Sequence, residues 1–339
     1  MDARSTDAGE LQWRTGLAQR WHRRRTFGAA DLPSSAEVAA RKAASGDRVS
    51  VVLPALNESE TIGAICTAIR EGLMGNRPLV DELLVVDCAS TDDTRAIATS
   101  AGATVYDVSQ LLPDVPVEPG KGEALWRSLS AVDGDIVVWV DSDIRDFSAS
   151  FVTGLVAPLV TDPTVSYVKG FYRRPILREG ALVPGEGGRV TELLARPLLA
   201  ALFPELSGFA QPLAGEYAGR VDVLRRLPFF TGYSVEVGLL IDMLDVVGLD
   251  GLAQVDLGER IHRNRTLVEL GPIAYAIART ILKRADERGR MRWAGSLRST
   301  PLLVPTPDGL EAHEVRELER PPITDLAPDA SDGEATAIS

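Results

Sequence analysis

The stretch VVWVDSDIRDF, residues 137–147, ends an almost unbroken apolar run in Asp141 and Asp143, with Asp146 close behind. Carboxylates packed this closely repel one another, and burying them costs several kcal/mol unless a cation or hydrogen-bond donors compensate. Two carboxylates one residue apart at the exit of a strand are hard oxygen donors. They suit Mg²⁺ or Mn²⁺, and a cation held there can in turn hold a diphosphate. On its own the pair is weak evidence, because acids at strand ends are common. A phosphatase of the haloacid-dehalogenase type also presents its nucleophile from an apolar strand ending in Asp-x-Asp. Such an enzyme places that strand first and follows the second Asp with Thr or Val, whereas here three strands precede it and Ile144 follows.

The elements that position these acids can be read from periodicity. RVSVVLPALN is a strand ending near a proline, and NESETIGAICTAIREGL is a helix with Asn57 as its expected cap and Ile62, Ile65, Cys66, Ile69 and Leu73 at helical spacing. ELLVVDCAS is a second strand ending at Asp87, and TDDTRAIATSAG a helix capped near Asp92. ATVYDV is a third strand, GKGEALWRSLSAVDG a helix, and DIVVWVDSD the next strand. Alternation of this kind predicts an α/β fold with a mostly parallel central sheet. In such sheets ligands sit beyond the carboxyl ends of the strands, so Asn57, Glu58, Asp87, Asp141 and Asp143 should converge on one crevice.

The later half is less regular. TVSYVKGFYRRP reads as a strand, GGRVTELLARPLLAALFP as a helix broken at Pro197, and TGYSVEVGLLIDMLD as a helix. LAQVDLGERIHRNR leads from a strand into a loop, and PIAYAIARTILKRA is a helix opened by Pro272. The basic patch RWHRRRTF in residues 1–47 reads as a surface arm, followed by a short helix for which Ser35 is a plausible cap. From about residue 321 the chain is rich in Pro, Ala and acids, and disorder is expected.

Composition bounds the possible functions. The 339 residues carry a formal net charge of -12, which argues against a nucleic-acid partner but leaves room for a small anion at a local cluster of cations. Two cysteines, Cys66 and Cys88, support neither a disulfide framework nor a cysteine-based zinc site. No run is long and apolar enough for a membrane span and no signal-peptide core is visible, so the expectation is a cytoplasmic protein.

The loop PALNE, the strand-end VVDCASTDDT some thirty residues on, and the Asp-Ser-Asp strand together resemble the nucleotide-binding half of the GT-A-fold glycosyltransferases. Five further stretches, GKGEALWRS, GRVTELLARPLL, QPLAGEYAGR, GYSVEVGLLID and ERIHRNR, make the chain similar over about 50–300 to the glucosyl-3-phosphoglycerate synthase family of actinobacteria. The resemblance implies a Rossmann-like nucleotide-sugar half (48–146), a smaller acceptor half (147–300) and a C-terminal extension (301–339). It also implies a retaining transfer of glucose from UDP-glucose to D-3-phosphoglycerate, which in that family opens methylglucose lipopolysaccharide synthesis. A polyprenyl-phosphate acceptor on the same fold is the alternative, weakened by the absence of a membrane segment.

Site roles follow from the same resemblance. Pro54, Ala55, Leu56, Glu58, Asp87, Ser90 and Ser142 would contact the UDP-glucose. Asp143 would ligate Mg²⁺ or Mn²⁺ together with His262, while Asp141 would face the donor sugar or ribose. Lys121 would stabilise the leaving diphosphate, its flanking glycines letting the backbone approach the ligand closely, although a lysine between glycines is more often just a solvated loop. Gly188, Arg189 and Thr191, at a helix start with unpaired N–H groups, would seat the acceptor's phosphate, with Asn264 and nearby Arg263 at its other end. Glu236 would face the sugar or the reacting centre, and its helix context equally allows a structural cap. Retention can arise by double displacement or by front-face attack, and the residues leave both open. A homodimer is a further implication of the family.

Overall fold

Apolar runs without polar alternation need cover on both faces, and this chain supplies it with helices on either side of one long sheet. The computed structural model describes residues 13, 16–28, 31–173, 176–178, 181–183, 188–259, 266–292, 301–306 and 309–326. Among them the main sheet is built from β1 (Thr26–Phe27), β2 (Val49–Ala55), β3 (Glu82–Asp87), β4 (Thr104–Asp107), β5 (Ile136–Trp139), β6 (Tyr167–Arg173), β7 (Tyr217–Arg220) and β8 (Leu252–Glu259). Their spatial order is β1-β8-β6-β7-β5-β2-β3-β4. The β5-β2-β3-β4 block is parallel, as is β1-β8-β6. The short strand β7 lies between the blocks, antiparallel to both neighbours.

Alternate strand residues feed two cores. On one face Val52, Trp139, Tyr167 and Tyr217 join Trp126 and Phe229. They are covered by the helices α4 (Lys121–Ser128), α6 (Arg196–Leu202), α7 (Val235–Val247) and α8 (Leu267–Glu287). On the other face Val51, Leu53, Val138 and Val168 pack beneath α1 (Ser35–Ser45), α2 (Ile62–Leu73) and α5 (Ala149–Thr161). The helix α3 (Thr94–Ser100) adds Ala98 to that side.

Several local expectations change. Residues 16–27, expected as a surface arm, are a helix followed by β1, because Trp21 is fully buried against Phe209 and donates its indole N–H to the Leu252 carbonyl at 2.9 Å. The arm's arginines are paired too, Arg25 with Asp162 and Arg24 with Asp250. Ser34, not Ser35, caps α1, through a reciprocal box with Glu37. Asn57 does not cap α2. It sits in the left-handed region at φ 57°, and its side-chain oxygen accepts the Thr91 N–H at 2.9 Å. Pro197 does not break its helix. The turn ahead of it, Thr191–Ala195, widens to a π geometry in which Arg196 N–H donates to Thr191 O, making room for the ring. Pro272 lies inside α8, which starts earlier at a Thr266–Glu269 capping box.

The tail expected to be disordered from about residue 321 is held through residue 326. Glu319–Arg320 pairs antiparallel with Phe229–Phe230, the Trp126 indole donates to Pro321 O at 2.8 Å, and Ile323–Leu326 forms a 3-10 turn. These anchors are backbone groups and charges, so the poverty of large apolar residues gives no sign of them.

Trp21→Ala should lower the unfolding free energy by about 3–5 kcal/mol, the usual range for truncating a buried aromatic. Urea unfolding checks this, and a wild-type midpoint would show that the N-terminal helix is not part of the cooperative fold.

Candidate active site

The strands β2, β3 and β5 stop at one edge, and their exits are stitched together by side chains. Ser142 Oγ donates to the Pro54 carbonyl at 2.6 Å, and Thr61 Oγ1 donates to the Ser142 carbonyl at 2.6 Å. Ser90 Oγ accepts the Asn57 N–H at 2.9 Å, and Thr94 Oγ1 accepts the Glu58 N–H at 2.8 Å. Ser90 and Ser142, expected as ligand contacts, are therefore also framework groups holding the crevice wall. Pro54 and Ala55 close β2 in the core, whereas Leu56 beside them is exposed.

Lys121 is the cation absent from the Asp-Ser-Asp stretch itself. Its Nζ lies 2.5 Å from Asp141 Oδ1 and 2.9 Å from Glu236 Oε1, with all three side chains largely buried. Burial works against the ammonium, but Asp141 and Glu236 outweigh it and hold its pKa above the ordinary lysine value. The glycines around Lys121 serve a different purpose from the one expected. A Cβ on Gly120 would lie 2.4 Å from Thr231 O, and one on Gly122 would lie 1.9 Å from Phe230 O. Gly120 also sits at φ 125°. The close approach they permit is to the chain's own backbone, where Glu123 N–H donates to Thr231 O at 3.0 Å. That contact fixes the start of α4 and with it Lys121. On the far side of Asp141 lies Gly215, where a Cβ would come within 2.2 Å of Oδ2.

Asp87 is fully buried. Its Oδ2 accepts from Ser90 N–H at 3.0 Å and from Arg95 Nε at 2.9 Å. Oδ1 has no hydrogen-bond partner among the described residues. Arg95 also reaches Asp107 at 3.2 Å, a bridging role that sequence reasoning missed although its place directly after TDDT was in view. Glu58, Asp141 and Asp143 crowd one another. Partial burial, then Asp143, push the Glu58 carboxyl up to about 7.

Behind the lysine lie groups the sequence reading passed over. Lys169 is fully buried in β6, donates to Ala214 O at 2.9 Å and stands 4.4 Å from the Tyr217 ring. Burial, opposed by Glu236, brings its pKa down to about 7. The signal was a lysine inside the apolar strand SYVKGFY. The buried hydroxyls of Tyr167 and Tyr217 have no hydrogen-bond partner among the described residues.

The expected acceptor residues sit on a different element. Gly188, at φ 80°, accepts the Glu192 N–H at 3.0 Å and so opens the helical stretch that carries Arg189 and the buried Thr191. His262, Arg263 and Asn264 lie outside the described residues.

The pattern of glycosyl transferase family 2 matches residues 50–182. The glucosyl-3-phosphoglycerate synthase of Mycolicibacterium smegmatis is 54% identical over 249 residues, covering 74% of this chain and 80% of its own length. The chain belongs to the glucosyl-3-phosphoglycerate synthase family. The Petrotoga mobilis synthase is 44% identical over 279 residues, covering 81% of this chain and 86% of its own. A solved structure of the Mycobacterium tuberculosis synthase, in complex with Mn²⁺, UDP-glucose and phosphoglyceric acid, superposes with a TM-score of 0.78 at 45% identity, over 89% of this chain and 98% of that one. A member of the glucosyl-3-phosphoglycerate synthase family is a glycosyltransferase, so the phosphatase reading is set aside. Among the described residues no helix is long and apolar enough to cross a membrane.

The Glu58 carboxyl titrates near 4.5 in an ordinary setting and at about 7 in the folded chain, so the fold binds the extra proton between those values. The stability it contributes is present at low pH and is lost as the pH rises through 7. In metal-free buffer, Glu58→Gln should therefore gain in melting temperature relative to the wild type between about pH 5 and about pH 8. A constant difference across that range would mean that the fold does not raise the Glu58 carboxyl.

Proposed function

We propose that this chain transfers glucose from UDP-glucose to D-3-phosphoglycerate with retention at the anomeric carbon. The observation that carries the reading is the buried ammonium of Lys121 held by Asp141 and Glu236 beside the ends of the parallel strands, in a chain about half identical to curated synthases.

Each group has a role in that reaction. Asp87 Oδ1, buried without a described partner, accepts from the uracil or ribose, and exposed Leu56 lies against the base. Asp141, its Oδ1 held by Lys121, faces the donor sugar. Lys121 offsets the charge that grows on the diphosphate as the bond to the anomeric carbon breaks. Glu236, already paired with that lysine, holds and orients it instead of attacking the sugar. Gly188, Arg189 and Thr191 seat the phosphate of the acceptor, Asn264 meets its other end, and the acceptor hydroxyl attacks from the face the leaving group vacates.

A divalent cation fits the donor set. Glu58, Asp141 and Asp143 are hard oxygen donors close enough for the two aspartates to raise the Glu58 carboxyl, the kind of donor that takes Mg²⁺ or Mn²⁺. Among the described residues no three such side chains are grouped closely enough to hold an ion by themselves. Asp143 would share it with His262 and the diphosphate oxygens. When bound, the cation supplies Lewis-acid stabilisation of the leaving diphosphate.

The reading includes a homodimer, for which the exposed Leu193, Leu267 and Val268 on packed neighbouring elements offer an apolar face. It also includes a cytoplasmic location, in keeping with the free thiols of Cys66 and Cys88.

UDP release from UDP-glucose should require both 3-phosphoglycerate and Mn²⁺ or Mg²⁺, and should stop on addition of a chelator. Release without the acceptor, or inorganic phosphate as the product, would overturn the reading. Arg189→Ala should raise the acceptor KM by about 10-fold or more, the loss of a charge-assisted phosphate contact, with the donor KM nearly unchanged. Equal effects on both substrates would place Arg189 outside the acceptor seat.

A further inference from the structure

Lys121 and Glu236 come from helices that are separate in sequence, and both helices are gripped by one short piece of the C-terminal segment. Glu317 lies at the start of α7. Its Oε1 accepts the Ser234 N–H at 3.2 Å, and its Oε2 accepts from the Ser234 hydroxyl. Ser234 is the residue before the helix and makes no side-chain cap of its own, so the carboxylate of Glu317 supplies the cap from elsewhere in the chain. Gly232 is pressed against the same carboxylate, where a Cβ would lie 2.5 Å from Oε1. Glu236 follows in the first turn, two residues after Ser234.

Three residues beyond Glu317, Arg320 reaches the other helix. Its Nε lies 2.8 Å from Glu123 Oε2 and its NH2 lies 2.9 Å from Glu123 Oε1. Its guanidinium also stands 5.2 Å from the Trp126 ring. Glu123 is buried in the first turn of α4, two residues from Lys121. Between these two grips the backbone is locked as well. Thr231 N–H donates to Leu318 O at 2.9 Å, Leu318 N–H donates to Thr231 Oγ1 at 3.1 Å, and Glu319 and Arg320 pair with Phe230 and Phe229. Lys283 and Arg284 of α8 hold Glu319 from behind.

We infer that residues 317–320 are a clamp that sets the Lys121–Glu236 spacing, with Glu317 as a positioning residue for the transfer reaction. The geometry leaves it little alternative role. Its two oxygens are directed at the N-terminus of the helix that carries Glu236, while its neighbours fix the segment against the helix that carries Lys121. The inference rests on the proposed transfer reaction, because what it predicts is a change in turnover.

The test uses the full chain and steady-state kinetics with UDP-glucose, 3-phosphoglycerate and Mn²⁺. Glu317→Ala should lower kcat by about 10- to 100-fold, the scale expected when a reacting group shifts by around an ångström. The acceptor KM should stay within about twofold, because the acceptor seat is on another element. Glu317→Gln keeps an oxygen that can accept from Ser234 and should regain most of the activity. On a Glu236→Gln background the Glu317→Ala loss should largely vanish, because the group it positions is already gone. A wild-type kcat in Glu317→Ala, or a loss that simply adds to that of Glu236→Gln, overturns the clamp. If Glu317→Ala does not fold, Glu317→Asp, which draws the carboxylate back from the helix start by one methylene, is read in its place, and the same two outcomes decide. A wild-type chain that fails to transfer glucose at all refutes the transfer reading instead, so the two failures can be told apart.

Discussion

The arrangement depends on one buried ammonium shared by two carboxylates. Lys121 between Asp141 and Glu236 is an expensive object to build, because each ion loses hydration that only correct geometry repays. Removing Lys121 would leave two carboxylates uncompensated in a largely dry place. That explains why the surroundings of the triad are so tightly specified. Gly120 and Gly122 bring α4 against the Phe230–Gly232 backbone, Gly215 leaves room for the Asp141 carboxylate, and Lys169 ties down the Ala214 carbonyl next to it. A methyl group at any of those glycines would meet backbone or the carboxylate itself. The chemistry constrains the packing here more than the packing constrains the chemistry.

The sheet topology is what makes the triad possible. Parallel strands deliver Asp141 and Asp87 to the same edge, where β6 and β8 also end. The antiparallel β7 adds the start of a strand to that edge. It runs opposite to β5 and β6, so the turn that precedes it, Ala214–Glu216, arrives at the edge where Asp141 leaves. Its Tyr217 also packs on Trp139 and Tyr167, which joins the two parallel blocks through a single aromatic layer. Tyr167 and Tyr217 feel the charge of Glu236 as well as their own burial, and both phenols are pushed well above the ordinary tyrosine value. They remain neutral walls around the ions.

What could be read from the sequence follows from which interactions leave a local trace. The β2–β5 block was legible because buried strands and capped helices write a period into the chain, and its strand-end acids fell where the topology rule puts them. β7 was not legible as a strand. YAGR is four residues with a glycine, and it is a strand only because β5 and β6 each need a partner at that position. The glycines beside Lys121 were read as a close approach to a ligand, and the close approach they make is to the chain's own Phe230–Gly232 backbone. The chain from about residue 321 was read as a disordered tail because composition records apolar burial, whereas it is anchored by the Trp126 indole on Pro321 O and by the Arg320–Glu123 pair just ahead of it. Charge pairing across some two hundred residues has no periodic signature.

The overall charge of the chain sharpens the same point. A protein with a formal net charge of -12 and anionic substrates has no long-range field to draw them in, so it must rely on cations fixed at close range. Fixed cations in an acidic protein acquire carboxylate partners. Lys121 has Asp141 and Glu236, and Arg95 has Asp87 and Asp107. Pairing of this kind weakens the attraction of each cation for a distant anion but holds it in one place, which is the form of electrostatic stabilisation that needs no reorganisation when charge moves during a reaction. It also leaves the crevice with more acid than base, Glu58 and Asp143 included. A divalent cation held by Asp143 would complement such a site, offsetting the local charge beside a lysine already held in position.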